Sequence, residues 1–201
     1  MTTIDDRVLW IDLETTGSDE NELGAAILEF GVLITEGGDT YHSYRDIAEQ
    51  NWVFGLDRDA RIRLNMWDDV VLKMHGSSGL LIEALKVNGT AESYDHQIVE
   101  WIIANLDKGP NWEWQDGTKI LWGGSGVAHF DRRWIKKFMP AVDEILTHYA
   151  LDVGVVRRLF EAAAHTHVLK QEKPHRALDD AKLAATQWRH YFNWIRDRVP
   201  S

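Results

Sequence analysis

Two carboxylates interrupt an apolar stretch near the N-terminus, and they constrain the fold more than any other feature of the chain. The stretch VLWIDLETTG, residues 8–17, is typical of a buried strand, yet Asp12 and Glu14 stand within it. Side chains at i and i+2 of a strand point to the same face, so the two carboxylates lie side by side. Burial penalises charged groups unless other groups compensate them. The fold must therefore bring compensating groups or bound cations to this strand.

The remaining pattern predicts one α/β domain over residues 1–201, with a mixed five-stranded sheet flanked by helices. Apolar runs predict strands at about 7–14, 26–35, 39–45, 119–122 and 149–153, the first three as an antiparallel meander. Helical spacing predicts helices at about 80–86, 91–106, 127–138, 154–164 and 176–197. The stretch 57–73 is partly helical, and HGSSG at 75–79 is expected to break it. Strands first, then strands alternating with helices, indicate the mixed sheet.

Composition excludes several classes of function. The chain has no Cys, which excludes disulfides and thiolate metal sites and fits a reducing cytoplasm. A net charge of −10 argues against broad binding to nucleic-acid backbones, but not against a local site where metal ions supply positive charge. No apolar run is long enough for a membrane span, and no secretory signal is visible. The ten Trp are expected to fill the core, with base stacking by one or two as the alternative.

A third carboxylate, Asp131, falls inside the apolar face of the predicted helix 127–138. Asp131 lies four residues after Val127 and three residues before Trp134, which are both apolar positions of that face. Two interpretations stay open at this point. Asp131 is either salt-bridged by Arg132 or Arg133, or it faces a site.

The last predicted helix points its two adjacent acids, Asp179 and Asp180, in different directions. Its small and aromatic residues recur at helical spacing, and Asp180 lies roughly 60° from the centre of that inner face at about 100° per residue. Asp179 lies nearly opposite and is expected to be solvated. Pro174 indicates that the helix begins near this point, which leaves His175 free to turn toward a site. The alternative is that His175 is an exposed capping residue.

Asp12, Glu14, Asp131 and Asp180 thus form a set of four carboxylates, each at the border of an apolar face and drawn from three separated segments. Such a cluster without compensation costs several kcal/mol and is hard to explain as a stabilising feature. Divalent cations compensate it, since hard oxygen ligands suit Mg²⁺ or Mn²⁺. The pattern therefore predicts a metal site.

Three motifs carry a resemblance to a known family. DLETTG at 12–17, HFDRRW around Asp131 and HRALDDA at 175–181 resemble the motifs of the DEDDh 3′→5′ exonucleases, which have the DnaQ-like, RNase H-like fold. Within that family, MHGSSGL at 74–80 and LDV at 151–153 resemble oligoribonucleases, and the resemblance spans nearly the full length.

The resemblance implies a metal-dependent 3′→5′ exonuclease that releases nucleoside 5′-monophosphates from short single-stranded RNA or DNA. The four carboxylates would hold two Mg²⁺ or Mn²⁺ ions, His175 would be the general base, and Glu14 would also orient the attacking water. The resemblance further suggests a set of substrate-binding residues, in which His75 contacts a phosphate: Thr15, Thr16, Gly17, His75, Ser78 and Ser125.

The chain also departs from the oligoribonuclease pattern around the substrate. Ser18 stands where a Leu usually follows the Gly of the first motif, and Val70 stands where a Trp usually precedes the HGSSGL-like loop. A Tyr-Arg pair usually found before LDV is replaced in 148–150, and the stretch from Ser125 to Asp131 is about two residues longer than usual. We therefore expect the chemistry to be kept and the preference for substrate length to be relaxed or altered.

The resemblance leaves further questions of partner and source open. A homodimer is compatible with it, because oligoribonucleases are typically homodimers, and the apolar residues of 127–146 are the candidate face. The expected location is the cytoplasm of a bacterium or of a phage-infected host. One alternative function is a proofreading exonuclease that acts with a polymerase. The other, from a different class, is a catalytically inert acidic interaction module.

Overall fold

The structure, a computed structural model, describes residues 7–37, 45–64, 67–106, 115, 117–164, 169 and 175–198. The strands within these ranges are β1 (Arg7–Thr15), β2 (Ile27–Glu36), β3 (Arg45–Val53), β4 (Ile120–Gly124) and β5 (Leu146–Asp152). The first four helices are α1 (Arg58–Ile62), α2 (Asp69–Ser77), α3 (Leu80–Ala84) and α4 (Ala91–Leu106). The later helices are α5 (Asp131–Phe138), α6 (Pro140–Ile145), α7 (Val153–Ala164) and α8 (Ala177–Arg196).

The described strands form one mixed sheet in the order β3-β2-β1-β4-β5. Neighbours pair antiparallel from β3 to β1, whereas β4 is parallel to β1 and β5 is parallel to β4. The five-stranded mixed sheet expected from the sequence is therefore confirmed. Because β1 and β4 are parallel, their carboxyl ends meet at one edge, and the end of β1 carries both carboxylates of the first motif.

Several predicted boundaries are wrong, and the helix predicted at 127–138, for example, begins only at Asp131. The third strand continues to Val53 instead of ending at 45, whereas its predicted residues 39–44 lie outside the described part of the chain. The shift arises because β3 is an edge strand with no fully buried residue, so it lacks the apolar run that marks a buried strand. HGSSG does not break the helix before it, because α2 continues to Ser77 and ends only before Gly79, whose φ is +78°.

The side chains of β1 point alternately into two hydrophobic cores, one on each face of the sheet. Val8 and Trp10 pack with the small residues of α8, including Ala181. Leu9, Ile11 and Leu13 point to the opposite face, where the core also contains residues of α4, α5 and α6. Asp12 and Glu14 continue the α8-facing series, so the sheet directs them toward the N-terminal end of α8. Trp10, Trp122 and Trp134 are buried in these cores, as expected for Trp.

The helical stretch proposed as a subunit interface is already used inside the protomer. Trp134, Ile135, Phe138 and Val142 are buried in the core on the α4 side of the sheet. Their apolar spacing reflects this packing, so it gives no support to a self-complementary outer face on α5 and α6. None of the described helices combines the length and apolar character needed to cross a membrane.

Candidate active site

A cleft of about 320 Å³ opens at the carboxyl ends of β1 and β4. The cleft is lined by all five residues that the sequence singled out for metal binding and catalysis: Asp12, Glu14, Asp131, His175 and Asp180. Ligand atoms of Glu14, His175 and Asp180 lie within 4.8 Å of one another. Residues from distant segments thus meet at one acidic cluster that could hold a metal ion.

The register of β1 and β2 explains how the first two carboxylates enter the cleft. Asp12 pairs with Gly31 and Glu14 pairs with Glu29 across the antiparallel ladder, and cross-strand pairs share a face. Asp12 and Glu14 are both 6% exposed. A Cβ added to Gly31 would lie 2.1 Å from the backbone nitrogen of Leu178. The missing side chain at Gly31 therefore lets the first turn of α8 lie directly on the sheet, beside Asp12.

Asp131 enters the cleft as the first residue of α5. Its carboxylate is buried, and Oδ1 accepts a hydrogen bond of 3.0 Å from the backbone N–H of Leu13, between the two carboxylates of β1. Arg132 forms its ion pair with Asp143 at 3.2 Å, and the guanidinium of Arg133 lies 3.2 Å from Glu20. The interpretation in which Asp131 faces a site is therefore the one that the geometry favours.

The two adjacent acids of α8, Asp179 and Asp180, differ in burial as the sequence predicts. Asp180 is 3% exposed and lines the cleft, whereas Asp179 is exposed. His175 precedes the helix with φ of +56°, a left-handed conformation that is uncommon for residues other than Gly. Its side chain is exposed and also lines the cleft. The turn before α8 thus brings the imidazole toward Glu14 and Asp180.

Glu29 is a fully buried carboxylate on β2 that was not among the residues predicted from the sequence. Its Oε2 accepts the backbone N–H of Ala177 at 2.8 Å, and its Oε1 accepts hydrogen bonds from Arg176 Nε at 2.9 Å and from Asn51 Nδ2 at 2.6 Å. The hydrogen bond to Glu29 raises the pKa of the Arg176 guanidinium above its ordinary value. An acid within an apolar strand was the available signal, as it was for Asp12.

His75 is completely buried, which argues against the predicted contact with a substrate phosphate. Nε2 donates to the carbonyl oxygen of Thr15 at 2.9 Å, because a carbonyl can only accept. Nδ1 lies 3.8 Å from Oε2 of Glu14. Burial lowers the pKa of His75, although the bond to Thr15 and the charge of Glu29 act in the opposite direction. His75 therefore packs behind the end of β1 and stays neutral near pH 7.

Comparisons with known proteins agree with this geometry. No family model matches the chain. The oligoribonuclease of Acinetobacter baylyi is 26% identical over 191 residues and 94% of each chain, and that of Marinobacter nauticus is 27% identical over 188 residues, 92% of this chain and 94% of the relative.

Solved structures of exonucleases share the fold. The nuclease domain of 3′hExo, a DEDDh family member bound to rAMP, has a TM-score of 0.57 at 13% identity and covers 98% of this chain and 96% of that one. The zinc-bound E. coli ExoI–ssDNA complex has a TM-score of 0.64 at 11% identity and covers 96% of this chain, which spans 43% of ExoI. The chain is thus similar to oligoribonucleases over nearly its whole length, and it has the fold of the DEDDh, DnaQ-like exonucleases. The RNase H-like fold expected from the motifs is confirmed.

The donor set of the site fits divalent cations. Carboxylate oxygens dominate the cluster, which suits a hard cation, and a neutral imidazole nitrogen is a compatible neighbour. Glu14 and Asp180 would repel each other at this distance if no positive charge stood between them. The acidic cluster is therefore a candidate site for divalent metal, as the DEDDh family implies.

The other residues predicted to bind substrate lie at different places around the cleft. Thr15, Gly17 and Ser125 line the metal cleft, and Thr16 lines a neighbouring groove. The Thr15 hydroxyl donates to the Gly17 carbonyl at 2.8 Å, and the Thr16 hydroxyl accepts the Ala26 N–H at 2.9 Å. Ser78 caps the end of α2 and donates to the His75 carbonyl at 3.4 Å. The two Thr hydroxyls thus hold the loop after β1 in place.

A second groove of about 530 Å³ continues from the cleft, because Gly17, Ser18 and Val71 line both. Leu23 and Val70 lie along it with exposures of 67% and 71%. Trp67 and Arg63 are partly exposed along the same groove, and within the described part of the chain the Arg63 guanidinium has no ion-pair or hydrogen-bond partner. Sequence analysis noted the changed residues Ser18 and Val70 but did not foresee this groove.

Proposed function

We propose that the chain is a divalent-metal-dependent 3′→5′ exonuclease that releases nucleoside 5′-monophosphates from short single-stranded oligonucleotides. The observation that carries the proposal is the convergence of four carboxylates and His175 on one cleft. The full-length similarity to oligoribonucleases supports the choice of short oligonucleotides. The chain would act as a single domain.

In this proposal, Asp12, Glu14, Asp131 and Asp180 hold two Mg²⁺ or Mn²⁺ ions. When bound, such a pair of ions would stabilise the attacking and leaving oxygens and would lower the pKa of a water molecule. His175 would then accept the proton of the attacking water, because an imidazole can act as a general base. The water oxygen would bond to phosphorus, the bond from phosphorus to the 3′ oxygen of the upstream nucleoside would break, and this leaving oxygen would take up a proton from solvent water.

In this proposal, the neighbouring groove binds part of the substrate beside the cleft. Its volume of about 530 Å³ falls within the roughly 300–1,000 Å³ of typical small-molecule sites. Leu23, Trp67 and Val70 supply apolar surface for a nucleobase, and Arg63 supplies positive charge. Ser18, which replaces the usual Leu, stands between groove and cleft. We expect these changes to alter the preference for substrate length.

A panel of 5′-labelled RNA and DNA, from dinucleotides to long oligomers, tests the proposal with Mg²⁺ or Mn²⁺ and with EDTA. A metal-dependent ladder that shortens from the 3′ end is the expected result. Preference for mismatched primer–template ends would instead support a polymerase-associated proofreading function. Inertness on every substrate with either metal would contradict the exonuclease proposal.

Replacing Arg63 with Ala is expected to raise KM for a dinucleotide roughly tenfold, because it removes a charged hydrogen-bond donor. Arg58→Ala is the matched control, since Arg58 is an exposed cation at the start of α1, the helix that Arg63 caps, and lies outside the groove lining. Steady-state kinetics on both variants measure the difference. An equal KM in the two variants would mean that the groove does not bind substrate.

A further inference from the structure

We infer that Glu29 is a positioning residue that sets Asp180 and His175 in the active site. The inference rests on the metal site of the proposed function and deepens it. Glu29 occupies the cross-strand position next to Glu14 on the face of the sheet that carries the cluster. It is completely buried, and its hydrogen bonds reach the first turn of α8.

The carboxylate of Glu29 anchors the N-terminus of α8. Oε2 accepts the N–H of Ala177, one of the helix-end donors that has no partner within the helix. The negative charge also interacts favourably with the positive end of the helix dipole. Asp180 lies one turn farther along, and its N–H donates to the Arg176 carbonyl at 2.9 Å. The helix therefore relates the position of Asp180 directly to the anchored turn.

Arg176 completes the anchor and supplies the charge that a buried carboxylate requires. Its guanidinium lies 2.7 Å from Glu29 and 2.9 Å from Glu83 on α3, so one side chain joins the sheet, α3 and the start of α8. Without Arg176, the buried Glu29 would add to the negative charge of neighbouring Glu14. His175 directly precedes Arg176 and has a left-handed backbone, so the fixed Arg176 also constrains the direction of the imidazole.

Glu29→Gln tests this inference, because the amide keeps the shape but loses the charge and one acceptor. We expect kcat to fall about 10- to 100-fold, as for residues that orient metal ligands, with little change in KM. The half-saturating Mn²⁺ concentration, measured by electron paramagnetic resonance without nucleotide, is expected to rise about 10-fold or more.

Glu49→Gln is the matched control, since Glu49 forms an exposed ion pair of 2.8 Å with Lys182 of the same helix. It removes a carboxylate that holds α8 but not its first turn, and we expect wild-type kcat and Mn²⁺ binding. Thermal melting of each variant establishes that it is folded. A folded Glu29→Gln protein with wild-type kcat and Mn²⁺ binding overturns the inference.

Arg176→Lys is the second test of the role of Glu29, for use if the Glu29→Gln protein does not fold. Lys keeps the positive charge beside Glu29 but loses the planar fork that joins Glu29 to Glu83. Weaker Mn²⁺ binding and lower kcat support the inference, and wild-type values for both overturn it. Because Mn²⁺ binding needs no nucleotide, failure of the exonuclease proposal would appear separately, as a wild-type protein that binds Mn²⁺ but hydrolyses no oligonucleotide.

Discussion

Asp180→Asn is expected to lower kcat at least about 100-fold, because a direct metal ligand should matter more than the residues that orient one. Asp180 is 3% exposed in the cleft. Ligand atoms of Asp180, Glu14 and His175 all lie within 4.8 Å of one another. The amide keeps the size of the side chain but removes the negative charge that a divalent cation requires. Hydrolysis of a labelled oligonucleotide and Mn²⁺ titration measure the two losses.

Asp179→Asn provides the control, since it makes the same chemical change one residue earlier on the exposed side of α8. We expect it to retain most of the wild-type kcat and Mn²⁺ affinity. Equal losses in both variants would contradict the assignment of Asp180 to the metal site.

Gly31→Ala is expected to destabilise the fold by about 3 kcal/mol, at the upper end of typical overpacking. The new Cβ would lie 2.1 Å from the backbone nitrogen of Leu178 and 2.3 Å from the carbonyl carbon of Ala177. Backbone atoms cannot rotate away, so α8 must shift from the sheet. For a chain of this length, the melting temperature should fall by roughly 6 to 12 °C. Activity should fall as well, because Asp180 moves with the helix.

Gly76→Ala is the control for the added methyl group. Gly76 lies in α2, and a Cβ there meets nothing within 4 Å. Ala is favoured over Gly in a helix by roughly 0.5–1 kcal/mol, so this variant should melt at or above the wild-type temperature. A Gly31→Ala protein that melts like wild type would show that the close approach of β2 to α8 does not constrain the fold.

Alternation of side chains explains why much of the site was predictable from the sequence. Asp12 and Glu14 interrupt a strand that is otherwise apolar, and Asp180 lies near the inner face of an amphipathic helix. The structure confirms that these three side chains are buried. Their burial was predictable because the periods of strands and helices determine which side chains share a face. The family resemblance then related these faces to Asp131 and His175.

Periodicity cannot predict what depends on contacts between distant segments. His75 was expected at a phosphate because of the resemblance to oligoribonucleases, but α2 continues through it and buries it behind Glu14. The apolar face of 127–146 was expected to be available to a second subunit, but the sheet and α4 already cover it. The polar edge strand β3 was placed too early, since it carries no buried run.

The sequence by itself determined the α/β class, the buried first strand with its two carboxylates, and the choice of Asp180 over Asp179. These follow from local periodicity, which the order of residues encodes directly. Only the tertiary structure decided that Glu29 and Arg176 anchor α8, that Asp131 accepts a hydrogen bond from Leu13, and that a groove with Arg63 continues the cleft. Such features arise from the register of β1 with β2 and from the close packing of α8 at Gly31, which join residues far apart in the chain.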